Sequence, residues 1–514
     1  MKDTSNKNIG GLVPRPPVVV IMGHIDHGKS TLLDYIRKTN ITEREAGGIT
    51  QHVSAYEAEV VVGGEKRQIT FLDTPGHAAF KGVRESGSKV ADIAVLIVSA
   101  EDGVKPQTIE ALDTAKQDGI PFIVALNKID KPNSNPNKVK QELAENEIFV
   151  EGWGGTIPLV LLSAKTGEGV EELLETIILQ SDVEELTGDP SLRARGFVIE
   201  SNRDAQKGVT ATLIIKDGSL RKGMFVSAGN AYTPVRNIED FLGNQISEAS
   251  LSKPIRITGW NEIPIPGSEF HAYNSKQEAE KASISFTSTL DMGGNANFKT
   301  DSKINSQINS VGDGAVLPII IKADTQGSLG AVQHELLKLN NEKISLKIVL
   351  AGVGPVSEAD VKFAGSGTNV LIVSFNTKID GRAQDLALRN GVEIKTYKII
   401  YELVDAVAES LVKNTPKEEV EEVTGTAKIL KVFSVNKNKQ IIGGKVETGE
   451  IKMNDAVKIF RREAEIGEGR VRELQAQKQK TSTVAEGQEF GTMIEAKIEI
   501  VAGDRISSYS RITR

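Results

Sequence analysis

Short apolar runs alternate with amphipathic stretches from Val18 onward. VVVIM (18–22), QITFLD (68–73), ADIAVLIVSA (91–100), PFIVALNK (121–128) and PLVLLSA (158–164) are each bounded by Gly, Pro, Asp or Asn and separated by helical segments such as 30–38. Continuous apolar runs of this length predict strands of a parallel sheet buried on both faces. EELLETIILQS (171–181) predicts the closing helix, and the unit spans 14–185, after a loose tail at 1–13. Past Pro190 the texture becomes short β-branched runs with Gly-containing turns, which predicts a small antiparallel β-barrel over 190–273. Residues 274–314 are poor in large apolar side chains and read as a linker, helical at its start. Strand and helix alternate again over 315–398, a second α/β/α domain. Ile399, Ile400, Leu403, Val404, Val407 and Leu411 then form one stripe of a long connecting helix (399–416) that Pro416 ends. Residues 417–514 return to β texture and predict a C-terminal β-barrel.

Composition narrows this multidomain α/β and β plan. At 514 residues the chain exceeds the usual ~150 per domain several-fold. With no cysteine, disulfides, thiolate zinc sites and Cys nucleophiles are excluded, and six scattered histidines are too few for a rich metal centre. No apolar run is long enough to span a bilayer, so no membrane role is expected. Residues Met1–Gly11 lack the apolar core of a signal peptide, which with the missing cysteines leads to a cytoplasmic expectation. The net charge is −7, yet basic and acidic residues nearly balance from Lys417 onward, which leaves that end room for an RNA-facing surface.

The chemistry begins at GHIDHGKS (Gly23–Ser30), which fits G-x-x-x-x-G-K-[ST] between a predicted strand and a predicted helix. Gly23 and Gly28 let the backbone curl so that the N–H groups of His24, Ile25, Asp26, His27 and the following turn to Thr31 meet phosphate oxygens. The helix N-terminus adds partial positive charge, and Lys29 reaches the β/γ-phosphates. Ser30 is placed for Mg²⁺; His24 and His27 read as loop packing. Asp26 puts a carboxylate beside phosphates, a conflict that a bound monovalent cation would resolve.

That loop does not choose between ATP and GTP. NKID (Asn127–Asp130) does, because the Asp130 carboxylate can accept from guanine N1–H and its exocyclic amine together. Asn127 can bond the base edge, Lys128 can cover the ring, and Ser163-Ala164-Lys165 suits a backbone donor to guanine O6. In DTPG, Asp73 can hold Mg²⁺ through water and Gly76 can offer its N–H to the γ-phosphate. Thr50 is the expected second hydroxyl on Mg²⁺, and His77 the group that orients the attacking water. The cofactors expected are thus GTP/GDP and Mg²⁺ on a P-loop GTPase α/β domain.

Taken in order, GHIDHGKS, GGIT, DTPGH, NKID and SAK resemble the translational GTPases. EAGGITQHVSAYE, IIIKADTQGSLGAV, AGVGPVSEADV and VSFNTKIDGRAQDLA narrow the resemblance to bacterial-type translation initiation factor 2, over about residues 16 to 460. The resemblance implies a GTPase that delivers formylmethionyl initiator tRNA to the small ribosomal subunit and promotes joining of the large one, whose rRNA triggers hydrolysis through His77. It implies other initiation factors as partners, a monomeric chain, and an apolar gate of Ile25 and Ile49. It further implies a last barrel that grips the aminoacyl end of the tRNA. There the family pattern Gly-x-Glu-Cys-Gly is replaced by Gly487-Gln488-Glu489-Phe490-Gly491, and an upstream Lys-Arg pair by Gln475 and Ala476. Lys478 and Lys480 are then the basic residues available, beside Glu489, Phe490 and Gly491. Phe490 either lines an apolar pocket or fills the barrel core. Two other readings stand beside this one: a ribosomal GTPase of elongation or specialised tRNA delivery, and a nucleotide-regulated binding protein with negligible hydrolysis.

Overall fold

The computed structural model describes residues 11–37, 53–76, 78–204, 206–291, 315–340, 344–367, 369–414, 419–436, 438–477 and 479–513. The chain divides into two compact units, Met1–Asn414 and Thr415–Arg514.

In the first unit, the leading sheet runs in the order Ser54–Val62, Glu65–Asp73, Val18–Gly23, Ile93–Ser99, Phe122–Asn127, Leu159–Leu161. Strand residues alternate between faces, so the central apolar strands feed two cores. Val18, Val20 and Met22 pack with Leu72, Leu96 and Leu112 on one face, and Val19 and Ile21 with Leu32, Phe71 and Ile177 on the other. The sheet is mixed, which corrects the all-parallel expectation. Ser54–Val62 is an edge strand antiparallel to Glu65–Asp73, joined to it through Gly63 and Gly64 at φ 60° and 86°. Two consecutive left-handed residues suit a tight hairpin. SAYEAEVVV alternates apolar with charged or small residues, so it lacks the continuous apolar signal of a doubly buried strand.

Register sets the working edge. Ile21 lies opposite Asp73, Gly23 opposite Ile97, and Ser99 opposite Asn127. The carboxyl ends of these strands therefore bring the glycine loop, DTPG and NKID to one rim.

The next sheet is wholly antiparallel and spans Arg195–Tyr273 around a core containing Val198, Leu213, Val226, Ile257 and Phe270. A buried charge cluster fastens it to the first sheet. Asp92 accepts from both Arg15 terminal nitrogens at 2.6 Å, from the Val18 N–H at 2.9 Å and from Lys216 Nζ at 2.6 Å. Lys216 Nζ also donates to the Val90 carbonyl at 2.9 Å. Burial by itself would raise the Asp92 pKa, but the Arg15 hydrogen bonds and the Lys216 charge outweigh it and hold the carboxyl below its usual range.

The expected linker opens with a helix, Lys276–Asp291, which lies against strands Phe225–Ala228, Ala231–Pro234 and Glu269–Tyr273; 292–314 fall outside the described residues. The second α/β sheet is parallel in the order Ile344–Val353, Ala315–Ala323, Leu371–Phe375, Ile394–Tyr397. Helix Ile400–Asn414 buries Ile400, Leu403, Val407 and Leu411 in the same core as Ile319 and Val373, so it covers this sheet as well as leading onward. Among the described residues no helix is long and apolar enough to cross a membrane.

The second unit is a closed antiparallel barrel. Its strands follow the order Glu419–Asn436, Arg505–Thr513, Ala456–Arg461, Ala464–Ala476, Glu489–Ala496, Lys439–Lys452, and the last pairs back to the first. Closure removes the unpaired edges that an open sheet of this length would carry.

Candidate functional site

The loop leaving strand Val18–Gly23 turns through three left-handed positions, Gly23 (φ 140°), Asp26 (φ 62°) and Gly28 (φ 91°), before helix Lys29–Arg37 begins. Gly28 is required by close approach as well as by φ, since a Cβ there would strike the Asn127 amide nitrogen. Lys29 is buried, and its Nζ donates to the carbonyls of Gly23 at 2.9 Å and His24 at 2.7 Å. Burial lowers its pKa to about 8, against the pull of Asp73. Gly76 lies so near that a Cβ on it would collide with Lys29 Nζ. Ser30 is half-buried in the first helical turn, and Asp26 and Thr31 are exposed.

His27 is 1% exposed, and its Nδ1 accepts from the Ser99 N–H at 3.3 Å. Burial, with His24 adding to it, lowers its pKa to about 4, so the ring is neutral packing. The His24 and His27 rings meet edge-on with centroids 5.0 Å apart. The Ile25 N–H donates to Gln107 Oε1 at 3.3 Å. Gln107 and Ser99 are not among the expected site residues; Ser99 ends strand Ile93–Ser99 and Gln107 opens helix Pro106–Gln117, and only the tertiary fold brings them here.

Asn127 does more than face a base. It is buried, its Nδ2 donates to the His27 carbonyl at 2.8 Å, and its Oδ1 accepts the N–H groups of Lys128 and Ala164, both at 2.8 Å. One side chain thus ties the glycine loop to both base-side loops. Lys128 follows at φ 66° and its Nζ reaches Asp102 Oδ2 at 3.2 Å. Asp130 is exposed and accepts from Ser163 Oγ at 2.7 Å, a bond that lowers its pKa. Ser163 is fully buried and its oxygen accepts from the Thr166 N–H at 3.2 Å, so its proton is directed to Asp130. Lys165 is exposed beside them.

Asp73 is 6% exposed at the strand end. Next to it, Thr74 Oγ1 donates to the Ile21 carbonyl at 2.9 Å, and buried Arg84 donates to the Pro75 carbonyl at 3.3 Å while pairing with Glu110 at 2.8 Å. These bonds brace the DTPG turn. Ile49, Thr50 and His77 lie outside the described residues. The donor set suits the expected cofactors: curled backbone and Lys29 face polyphosphate, and Ser30 and Asp73 offer the hard oxygens that Mg²⁺ prefers. Among the described residues there is no cluster of three or more His, Cys, Asp or Glu that could hold a metal ion.

Comparison with known proteins places three stretches of the chain in described families. Residues 15–181 match the elongation factor Tu GTP binding domain family, 193–273 match elongation factor G domain 2, and 295–408 match translation-initiation factor 2. Translation initiation factor IF-2 of Bacillus licheniformis is 41% identical over 497 residues, which cover 96% of this chain and 69% of that protein. The chain belongs to the IF-2 family. IF-2 of a Nitratiruptor species is 42% identical over 98% of this chain and 59% of its own length; for Aquifex aeolicus the figures are 40%, 97% and 61%. The chain therefore spans 59% to 69% of the length of these relatives. Among solved structures, GDP-bound aIF5B from Aeropyrum pernix aligns with a TM-score of 0.46 and 27% identity over 96% of this chain and 92% of that one.

The chain carries a second candidate site in its C-terminal barrel. A pocket of about 810 Å³ is lined by residues that include Phe433, Gly443, Glu473, Glu489, Gly491 and Met493. Phe490 belongs to the barrel core at 4% exposure, and its ring tip would lie 3.0 Å from a Cβ on Gly444. Phe490 also lines this pocket, so core packing and pocket lining do not exclude each other. Lys480 is exposed opposite Gln475 and 4.0 Å from Glu473; Lys478 lies outside the described residues.

Proposed function

We propose that this chain is a GTP-hydrolysing initiation factor that promotes binding of formylmethionyl initiator tRNA to the small ribosomal subunit and joining of the large subunit. The observation that carries the nucleotide reading is the Ser163-aimed carboxylate of Asp130 on a loop that Asn127 ties to the glycine loop. In this reading Gly23–Thr31 and Gly76 cradle the phosphates, and Lys29 offsets their charge. Ser30, Thr50 and, through water, Asp73 hold Mg²⁺, which supplies electrostatic stabilisation of the phosphoryl oxygens. Asn127, Lys128, Asp130 and the Ser163–Lys165 turn hold guanine. A monovalent cation beside Asp26 would offset its carboxylate against the phosphates. Ile25 and Ile49 flank His77, which orients water when ribosomal RNA engages it. Partners are both subunits, initiator tRNA and other initiation factors; the protein acts as a cytoplasmic monomer. Another ribosome-associated GTPase role, in elongation or specialised tRNA delivery, is the second reading. The match of 295–408 to translation-initiation factor 2 favours initiation.

Two measurements test the active centre. Asp130→Asn exchanges one acceptor oxygen for an amide donor, which opposes guanine and matches xanthine. Equilibrium titration should show the variant preferring xanthosine over guanosine triphosphate, and equal affinity of the wild-type chain for ATP and GTP would sink the guanine assignment. His77→Ala should slow ribosome-stimulated hydrolysis by about 10²-fold, the usual scale for an orienting or acid–base group, and leave GTP affinity near its original value. A parallel loss of GTP affinity would mark His77 as structural.

A further inference from the structure

A cavity of about 310 Å³ opens where three parts of the first unit meet. One wall is helix Lys81–Ser88, which follows the DTPG turn and braces it through Arg84. The second is helix Gln326–Leu337 beside the second α/β sheet, and the third is the antiparallel sheet, through Ile199 and Ile265. Each wall is anchored. Ala79 and Phe80 are buried in one core with Leu329 and Val332. Thr325 caps helix Gln326–Leu337 by accepting the Ser328 N–H, and it is bridged to Asn202 of strand Arg195–Asp204.

Four glycines lie on the two facing helices, and they divide by what a side chain would meet. A Cβ on Gly87 would meet Thr74 at 3.1 Å, and one on Gly327 would meet Val83 at 2.9 Å, so close packing accounts for both. Gly82 and Gly330 line the cavity, and a Cβ on either meets nothing within 4 Å. Glycine weakens a helix more than any residue but proline. Neither close approach nor a left-handed φ calls for it at these two positions. Their effect is to keep the space open.

The lining selects a chemistry. Val83, Ile199 and Ile265 offer apolar surface to a flat hydrophobic body. Gln326, Gly330 and Gln333 fall at i, i+4 and i+7, so they share one helix face. Both glutamines line the cavity half-buried, and neither amide makes a hydrogen bond among the described residues. Each presents a donor and an acceptor. The rim selects no net charge, since Lys81 and Glu85 stand 3.9 Å apart as a pair.

We propose that this cavity binds a small neutral molecule, a flat apolar body bearing a carboxamide-like donor and acceptor, and that its occupancy is coupled to the nucleotide site. The proposal goes beyond the initiation reading and needs only nucleotide binding. The volume lies at the lower end of the range for small-molecule sites, about 300–1,000 Å³, and such sites concentrate where domains meet. Coupling follows from the shared wall. A molecule seated against helix Lys81–Ser88 touches the element that braces DTPG, so a nucleotide-dependent shift of that turn changes its fit. Linkage makes the effect reciprocal.

The test titrates 2-naphthamide into the full chain loaded with GDP or with a non-hydrolysable GTP analogue and Mg²⁺, read by saturation-transfer NMR. Saturable binding is expected with a Kd on the order of 0.1–1 mM, differing at least about fivefold between the two loaded forms. 2-Naphthoate replaces the amide with a charged group that only accepts, and should bind about tenfold more weakly. Gly330→Leu fills the space and should weaken 2-naphthamide binding at least about tenfold, with the melting temperature unchanged or raised. Gln326→Ala with Gln333→Ala should cost about tenfold. Gly381→Leu adds the same side chain to an open helical glycine that does not line the cavity, and should leave binding unchanged. No saturable binding to either form, binding unchanged by Gly330→Leu, or 2-naphthoate bound as tightly as the amide overturns the site. Equal affinity for both loaded forms overturns the coupling. GTP titrated in parallel separates the readings: normal GTP binding without 2-naphthamide binding sinks the cavity site alone, and failure of GTP to bind sinks the nucleotide site instead.

Discussion

Asp92→Ala will destabilise the first unit by about 3–5 kcal/mol, the range for breaking a buried ion pair by removing one partner. The alanine leaves Arg15 and Lys216 without their shared carboxylate, at positions where the side chains are only 8% and 18% exposed. It also strips the Val18 N–H of its acceptor at the start of the central strand. Urea unfolding followed by tryptophan fluorescence measures the effect, because Trp260 is buried in the adjoining barrel core. A midpoint shift worth less than about 1 kcal/mol would show that this cluster is no better than a surface ion pair. The pH dependence has a definite sign. The folded carboxyl titrates below its unfolded value of about 3.9, so its contribution is present above that pH and fades as pH falls through the folded pKa.

The second large effect falls on nucleotide affinity. Asn127→Ala removes the bonds to the His27 carbonyl and to the N–H groups of Lys128 and Ala164. Each buried group left without a partner is worth about 1–3 kcal/mol. Part of the loss relaxes with the loops, so a total of about 3–4 kcal/mol is expected. The corresponding fall in GTP affinity is about 10²–10³-fold. Titration with a fluorescent GTP analogue at fixed Mg²⁺ checks it. Affinity within about fivefold of wild type would mean that the loops hold their positions without this tie. Asn127→Asp should fare no better, since it keeps the acceptor but sets a carboxylate oxygen against the His27 carbonyl.

Local patterns and tertiary facts divide cleanly in this chain. The strands of the first sheet announce themselves through apolar runs because a strand covered on both faces has no polar side to show. The edge strand Ser54–Val62 does have one, and its alternating pattern hid it until the hairpin through Gly63 and Gly64 was visible. The helix expected at the start of the linker, Lys276–Asp291, leans on the neighbouring barrel through Ala279 and Ser283, a packing that its composition did not announce.

The sequence by itself determined the chemistry that is written in consecutive residues: the glycines of a phosphate-type loop, the Asp130 carboxylate, and the order of the loop motifs. Backbone curl and side-chain functional groups are local properties. Tertiary structure alone decided what those groups do to one another. Asn127 became the tie between loops, and Ser163 the group that directs Asp130, because parallel strands deliver their carboxyl ends to one rim. Asp92 gathered Arg15 and Lys216 from 77 and 124 residues away. Phe490 went inward and Phe433 outward because alternation assigns opposite faces until a bulge resets the count, a difference set by cross-strand register rather than by residue type.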